Sequence, residues 1–559
     1  MSDKSEEKKI RPAIRPLSEL VRQYLAEYQL GIEYQNRIVA NPIQVDELAS
    51  KLAKLYEKVR RIIDWKEENL IRRTAIERIL KRNLLSELSG LGFAGGLDAN
   101  KISKPLVMEM IRSGYFTNGK ISKSKIPEAR KTLAKYIYIL NYSTYTTQKS
   151  LNIKDKINFF NWILEIAACE LEEILEPSFK ENALINLMTT AIYQNLTIKP
   201  HDAISQEDKL LQTYIAVHRT LYTLESPIIT YNLIKYRYPR WFEEESRFLE
   251  EFTQQIEEVK KQLEADLEYE KSGEFFKVCE RYDAAYLILG DIMKELEKDP
   301  DELVENLKKP EVLEKTLETV YKARVKTLKK RLMKSAIYST LSIFAAGIVS
   351  FIIFEGPVAH WLAEEGFKPF ALFVDLAVPS ALMFLLVIMI KPPKKENLAR
   401  VKEEVKKIVY PLDQDDLEYE ISFKKKKNWI ANLIFRIISL AAGAVSVYAI
   451  YWVFKIAGVP WTSIYVDTVN VAMVIFAGMI IRHKSKEITI EERGSLISMF
   501  IDLFSIPLAK VGQWFSKKWK EYNILSVFFT ALIDAPFSMI VTIIEDWRMF
   551  LRDKRSEIH

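Results

Sequence analysis

The sequence predicts an all-α protein: a cytosolic multi-helix N-terminal domain, then a membrane domain of two repeated transmembrane helical hairpins and C-terminal amphipathic helices. Three observations carry this expectation. Glycine (17) and proline (20) are sparse in 559 residues, against usage of roughly 7% and 5%, so turns are few. Four runs in the second half carry at most one charge each and have about the 20 residues that a helix needs to cross a bilayer. Lysine and arginine cluster at one end of each run and are nearly missing from the other, as the positive-inside rule requires.

Residues 1–334 form the predicted cytosolic helical domain. They open Met1-Ser-Asp-Lys4 with no apolar run behind, so no cleavable leader is expected and this part is expected in the cytosol. Prolines such as Pro42, Pro105, Pro177 and Pro310 punctuate helical patterns. Leu48, Leu52, Leu55, Val59 and Ile62 recur at heptad spacing, as do Leu249, Phe252, Ile256, Val259 and Leu263. Either could be a short coiled-coil seam for a partner, but packing within a helical bundle needs the same spacing. Charge is segregated. Residues 243–305 carry a strong acidic excess and residues 101–135 a basic one, which reads as solvated helix faces or as two surfaces that dock. The basic stretch lacks any RNA-binding signature, so nucleic acid is not an expected partner. Gly90-Leu-Gly92-Phe-Ala-Gly95 fits G-x-G-x-x-G. A charged helical pattern comes before it instead of a strand, so it reads as a hinge between helices.

Transmembrane hairpin 1 spans residues 335–390. Its first run, Ser335 to Phe354, is uncharged, and its second, Phe370 to Ile390, carries only Asp375. A cytosolic linker follows over 391–428: a helix ending at Pro411, then the alternating Leu417-Glu-Tyr-Glu-Ile-Ser-Phe423. That strand-like stretch is expected to pair with Glu487-Ile-Thr-Ile-Glu491, which alternates in the same way. Hairpin 2 spans 429–481, with Arg436 the only charge in its first run and Asp467 the only one in its second. Both hairpins are expected to start and end in the cytoplasm. Trp361, Trp429, Trp452 and Trp461 lie at the expected borders, as an aromatic belt would.

The hairpins resemble each other. Ala345-Ala-Gly-Ile-Val-Ser350 matches Ala441-Ala-Gly-Ala-Val-Ser446, and Val374-Asp375 matches Val466-Asp467. Two parallel copies imply a pseudo-two-fold axis along the membrane normal. Ala346/Ser350 and Ala442/Ser446 are small-xxx-small pairs suited to helix packing in a bilayer. Asp375 and Asp467 are either interfacial residues that orient their helices or intramembrane ion or proton ligands.

Residues 482–559 form a cytoplasmic-side tail. Leu496 to Phe515 and Ile524 to Ile544 are apolar but interrupted by Asp502, Pro507, Asp534 and Pro536. They are expected to be interfacial amphipathic helices. A third hairpin is the alternative, and it would put Lys517, Lys518 and Lys520 outside, against the charge rule. The basic end from Trp547 to Arg555 suits anionic lipid.

Cys169 and Cys279 have no metal or redox spacing, the five histidines are scattered, and there is no Walker A, G-x-S-x-G or zinc pattern. No metal, cofactor or catalytic residue is therefore expected. The expected object is a multipass protein of the plasma or inner membrane with a cytoplasmic N-terminus. It would act first as a non-enzymatic scaffold or tethered binding protein, and second as a small cation or proton transporter or channel. Expected partners are the bilayer, proteins that meet the cytosolic domain, and further copies of the chain.

Overall fold

The computed structural model describes residues 15–64, 68–90, 97–143, 152–200, 203–242, 246–298, 302–350, 369–388, 393, 395–411, 418–423, 429–459, 461–490, 496–521 and 535–558. The protein is predominantly helical. Its described helices are α1 (Glu19–Asn36), α2 (Glu47–Asp64), α3 (Glu68–Gly90), α4 (Ala99–Arg112), α5 (Lys125–Tyr142), α6 (Ile153–Leu175), α7 (Phe179–Asn195), α8 (Gln206–Leu221), α9 (Ser226–Arg237), α10 (Ser246–Gln254), α11 (Ile256–Leu267), α12 (Ser272–Leu296), α13 (Leu303–Leu307), α14 (Pro310–Ser350), α15 (Pro369–Ile388), α16 (Lys395–Val409), α17 (Trp429–Ile456), α18 (Trp461–Lys484), α19 (Leu496–Glu521) and α20 (Ala535–Ile558). A 3-10 helix, Pro239–Phe242, and two strands, β1 (Leu196–Lys199) and β2 (Tyr419–Ser422), complete the set among the described residues.

The chain divides into two compact units. One comprises residues 22–194, 204–279 and 524–559; the other comprises 1–21, 195–203 and 280–523.

The first unit is a helical bundle. Side-chain caps start several of its helices: Asp98 accepts from the Asn100 N–H, Asn152 from Lys154 and Ser205 from Asp208, each satisfying an amide that the helix leaves unpaired. Helices α3, α4, α5, α6 and α9 pack around one core that holds Ile76, Leu80, Leu106, Met110, Ile163 and Ala167. Phe252, Ile256, Val259 and Leu263 are buried in that same core, so the second heptad pattern is internal packing. It is also split between α10 and α11 at Gln255. The first heptad pattern divides differently. Ala49 and Ala53 of α2 pack on α20, while Leu48 and Leu55 stay exposed. Val59 and Ile62 lie outside the described side chains. The described acidic residues of 243–305 pair mainly within their own helices, as in Arg247–Glu251 and Lys261–Glu257, which is the pattern of solvated faces. Gly90 ends α3, so a helix does precede the glycine motif; residues 91–96 lie outside the described ones.

The second unit holds the apolar helices. Its long α14, of 41 residues, packs on α13, α15, α16 and α18. β1 and β2 pair in parallel, Leu196 beside Tyr419 and Lys199 beside Ser422. This corrects the expected pairing of 417–423 with 487–491. The latter is not a strand over its described residues, and side-chain amide bonds hold it instead: Asn397 donates to the Ile488 carbonyl (2.6 Å) and to Tyr321 Oη (2.9 Å), and accepts from the Ile490 N–H (2.8 Å). Alternation alone could not name the partner, because the true one lies more than two hundred residues away.

Candidate functional site

The sequence-predicted site residues all fall on the apolar helices of the second unit. Gly458 shapes the turn between α17 and α18. Its φ of 76° lies in the left-handed region that ends a helix cheaply only at glycine, and the Val459 N–H reaches back to the Phe454 carbonyl (3.1 Å). Beyond that turn α18 carries Asp467 near its N-terminal end, 1% exposed. Thr468 next to it donates to the Ile464 carbonyl, 2.7 Å away. Asp375 lies in α15, and its side chain is outside the described ones.

Helices α15 and α18 run in parallel, side by side. Val374, Val378 and Leu382 pack against a cluster with Ile464 and Val471, and Leu386 lies against Gly478, where a Cβ would stand 2.8 Å from Leu386 Cδ1. Leu386 and Gly478 are separated in sequence by the same 92 residues as Asp375 and Asp467.

The small residues of α17 are used for packing. Ala442 is buried. Ser446 donates to the Ala442 carbonyl (2.8 Å) and to the Phe504 carbonyl of α19 (3.2 Å). A Cβ on Gly443 would meet Pro507 of α19 at 3.1 Å. Ala346 and Ser350 of α14 have side chains outside the described ones. Helix α19 also lies antiparallel to α18. Arg482 donates to Asp502 (2.5 Å) at one level. Ten residues later in α19 and ten earlier in α18, a Cβ on Gly512 would come within 2.3 Å of the Ala472 carbonyl oxygen. The Asp502–Arg482 pair and the Gly512 contact are the features of this site that sequence reasoning missed. The i+10 match between an Arg-to-Ala step and an Asp-to-Gly step is visible only once the helices are known to be antiparallel.

The first unit contributes buried polar ties. Glu170, 2% exposed, accepts from Lys135 Nζ (2.7 Å), Tyr136 Oη (2.7 Å) and Trp241 Nε1 (2.8 Å). Burial lowers the pKa of Lys135 and pushes that of Tyr136 well up. A carboxylate saturated by donors in a closed core fastens α5 to α6 and has no room for a substrate. Glu545 of α20, 3% exposed, pairs with Arg112 (3.0 Å) and accepts from the Asp46 N–H (3.2 Å).

Two further facts bear on chemistry. Among the described residues no group of three or more His, Cys, Asp or Glu side chains is placed to hold a metal ion. One described helix segment, Arg436–Ile456, is long and apolar enough to cross a membrane, with a mean hydropathy of 1.9 and only 11% of it buried; Ala377–Leu386 is a shorter apolar helix. No known family model, curated protein or solved structure matches this chain.

Proposed function

We propose that this chain is a multipass integral membrane protein whose main role is non-enzymatic: it holds a helical binding domain at the cytoplasmic face of the membrane. The exposed apolar surface of α17 carries this reading. Ile437, Leu440, Val445, Tyr448, Trp452 and Ile456 are all more than half exposed. A helix in the core of a soluble protein buries such residues, and a soluble surface rarely shows so many together. Lipid is the solvent that suits them. The parallel α15–α18 contact supports two hairpins of like orientation. The scaffold role rests on the size of residues 1–334 and on their segregated charge.

The test is alkaline extraction of native membranes, followed by in situ crosslinking and mass spectrometry of the full-length protein. The protein should stay with the membranes, and protein partners should crosslink within residues 1–334. Extraction into the soluble fraction defeats the membrane reading. Retention with no crosslinked protein partner defeats the scaffold role.

Asp467 favours a second reading, a small cation or proton transporter or channel. A carboxylate buried within an apolar helix is costly and is often kept for ions or protons. The double variant Asp375→Asn, Asp467→Asn should then abolish flux in proteoliposomes; unchanged flux removes this reading. Helix α19 lies along α18, which supports membrane burial of α19, as in the three-hairpin alternative. The α2 contacts of Phe537 and Val541 oppose that alternative for Ile524 to Ile544, because a spanning helix would present those side chains to lipid.

A further inference from the structure

Helix α20 has two different faces. The first is docked. Phe537 stacks on Tyr56 (ring centroids 4.4 Å apart), Val541 packs on Ala49 and Ala53, Glu545 meets Arg112, and Arg548 pairs with Asp46 at 3.1 Å. Asp46 thus lies near the C-terminal half of α20 and Tyr56 near its start, so α2 and α20 are antiparallel. The alanines of α2 let the helices approach closely. The buried Arg112–Glu545 pair ties α20 to the end of α4 as well, and a shift of α20 by one residue would strand both charges.

The second face is not docked. Met539, Ile540, Ile543, Trp547, Phe550 and Leu551 are 48–66% exposed. Their one-, three- and four-residue steps keep them on a single stripe of the helix, turned away from Phe537, Val541, Glu545 and Arg548. Lys554 is exposed and follows one turn after Phe550 on that stripe, whereas Arg548 belongs to the docked face. An apolar stripe with tryptophan in it and lysine at its end is the pattern of a helix lying in a lipid interface.

We propose that α20 is a membrane-surface strap: its docked face grips α2, and its apolar stripe lies in the interface of an anionic bilayer, holding the N-terminal helical unit against the membrane. This rests on the membrane reading above but adds a second, separate attachment. The tryptophan in the stripe and the lysine at its end select an anionic bilayer over a protein groove, since they sit level with the phosphate headgroups.

The experiment uses full-length protein in nanodiscs of phosphatidylcholine, with or without phosphatidylglycerol, and an environment-sensitive fluorophore on single introduced cysteines. The native Cys169 and Cys279 are buried. Ile543→Cys reports on the strap, Leu440→Cys on α17, and Ile153→Cys on an exposed site of the helical unit. At Ile543→Cys we expect a blue shift and a loss of emission with lipid-borne quenchers. Both should weaken without phosphatidylglycerol and in Lys554→Glu/Arg555→Glu. If Ile543→Cys behaves like Ile153→Cys while Leu440→Cys is quenched, the strap is wrong and the membrane reading stands; a second copy or another protein covering the stripe would give this result. If Leu440→Cys is also unquenched, the membrane reading itself falls.

Discussion

His218 lies in α8, 1% exposed, with the Tyr214 ring edge-on at 4.3 Å. Burial, helped by the Lys235 charge, pulls its pKa from 6.5 down to about 3. Between those values the unfolded chain takes up a proton that the folded chain refuses. Stability is therefore full above pH 6.5 and falls as the pH drops. At pH 5 the loss from this group is about 2 kcal/mol. His218→Leu should shrink the difference between unfolding midpoints at pH 7 and pH 5, and an unchanged difference would show that another group sets it. Glu545 gives a second prediction at this scale. Glu545→Ala leaves Arg112 buried without its carboxylate, at a cost of about 3 kcal/mol, or roughly a hundredfold in the opening equilibrium of α20. Tryptic cleavage after Arg548 should speed up accordingly, and Glu545→Leu with Arg112→Met should largely restore protection. Glu545 and Asp467 show how far single residues can be read from sequence. Asp467, an acidic side chain in an apolar run, stands out at once, whereas Glu545, just past the end of one, does not. Whether either faces lipid, an ion or a buried arginine depends on a helix hundreds of residues away.

At the scale of elements, close helix contacts and side-chain clips do the fastening. Gly512→Ala would push a methyl group onto the Ala472 carbonyl and force α18 and α19 apart, so its thermal midpoint in detergent should fall. Gly273, in the first turn of α12, has nothing within 4 Å of its would-be Cβ. Gly273→Ala should be neutral or raise stability by about 0.5 kcal/mol, because alanine loses less backbone entropy in a helix. Equal losses in both variants would mean that the α18–α19 approach is not the cause. Asn397 is a clip of another kind, with its amide paired to the backbone at Ile488 and Ile490. Asn397→Ala strands a buried donor and a buried acceptor and should cost about 2 kcal/mol, seen as faster hydrogen exchange at Ile490. The helices themselves were legible in the sequence from apolar period and proline placement. The strand partner was not, since alternation specifies a face and carries no address. The prolines were also less absolute than expected: Pro105, Pro379 and Pro507 lie inside helices, where neighbouring helices can offset the lost hydrogen bond.

At the scale of the whole molecule, the averages hide a division of labour. A net charge of +6 and a mean hydropathy of -0.07 come from one unit built on a closed aliphatic core and another that shows much of its apolar surface. The segregation was readable; the two compact units do not follow linear order, because β1 joins the second and the C-terminal helix joins the first. Linear order suggested five consecutive segments, with boundaries after residues 334, 390, 428 and 481.

Within the second unit, α14 has one more property. Its early turns are held by ion pairs and hydrogen bonds, Lys402–Glu318 (2.5 Å), Asn397–Tyr321 and Arg324–Asp291 among them, and Leu332 packs with Met383 and Leu386 of α15. One unbroken helix of about 60 Å joins these two sets of contacts, so it works as a shaft with a fixed phase. Each added residue turns everything beyond it by about 100°, while seven add two turns with about 20° left over. One alanine inserted after Lys326 should therefore misalign Leu332 with α15 and lower the yield of folded protein, and seven should recover much of it. If both insertions behave alike, the shaft transmits length alone. If they differ, the helix carries angular information from its ion-paired turns to its apolar ones.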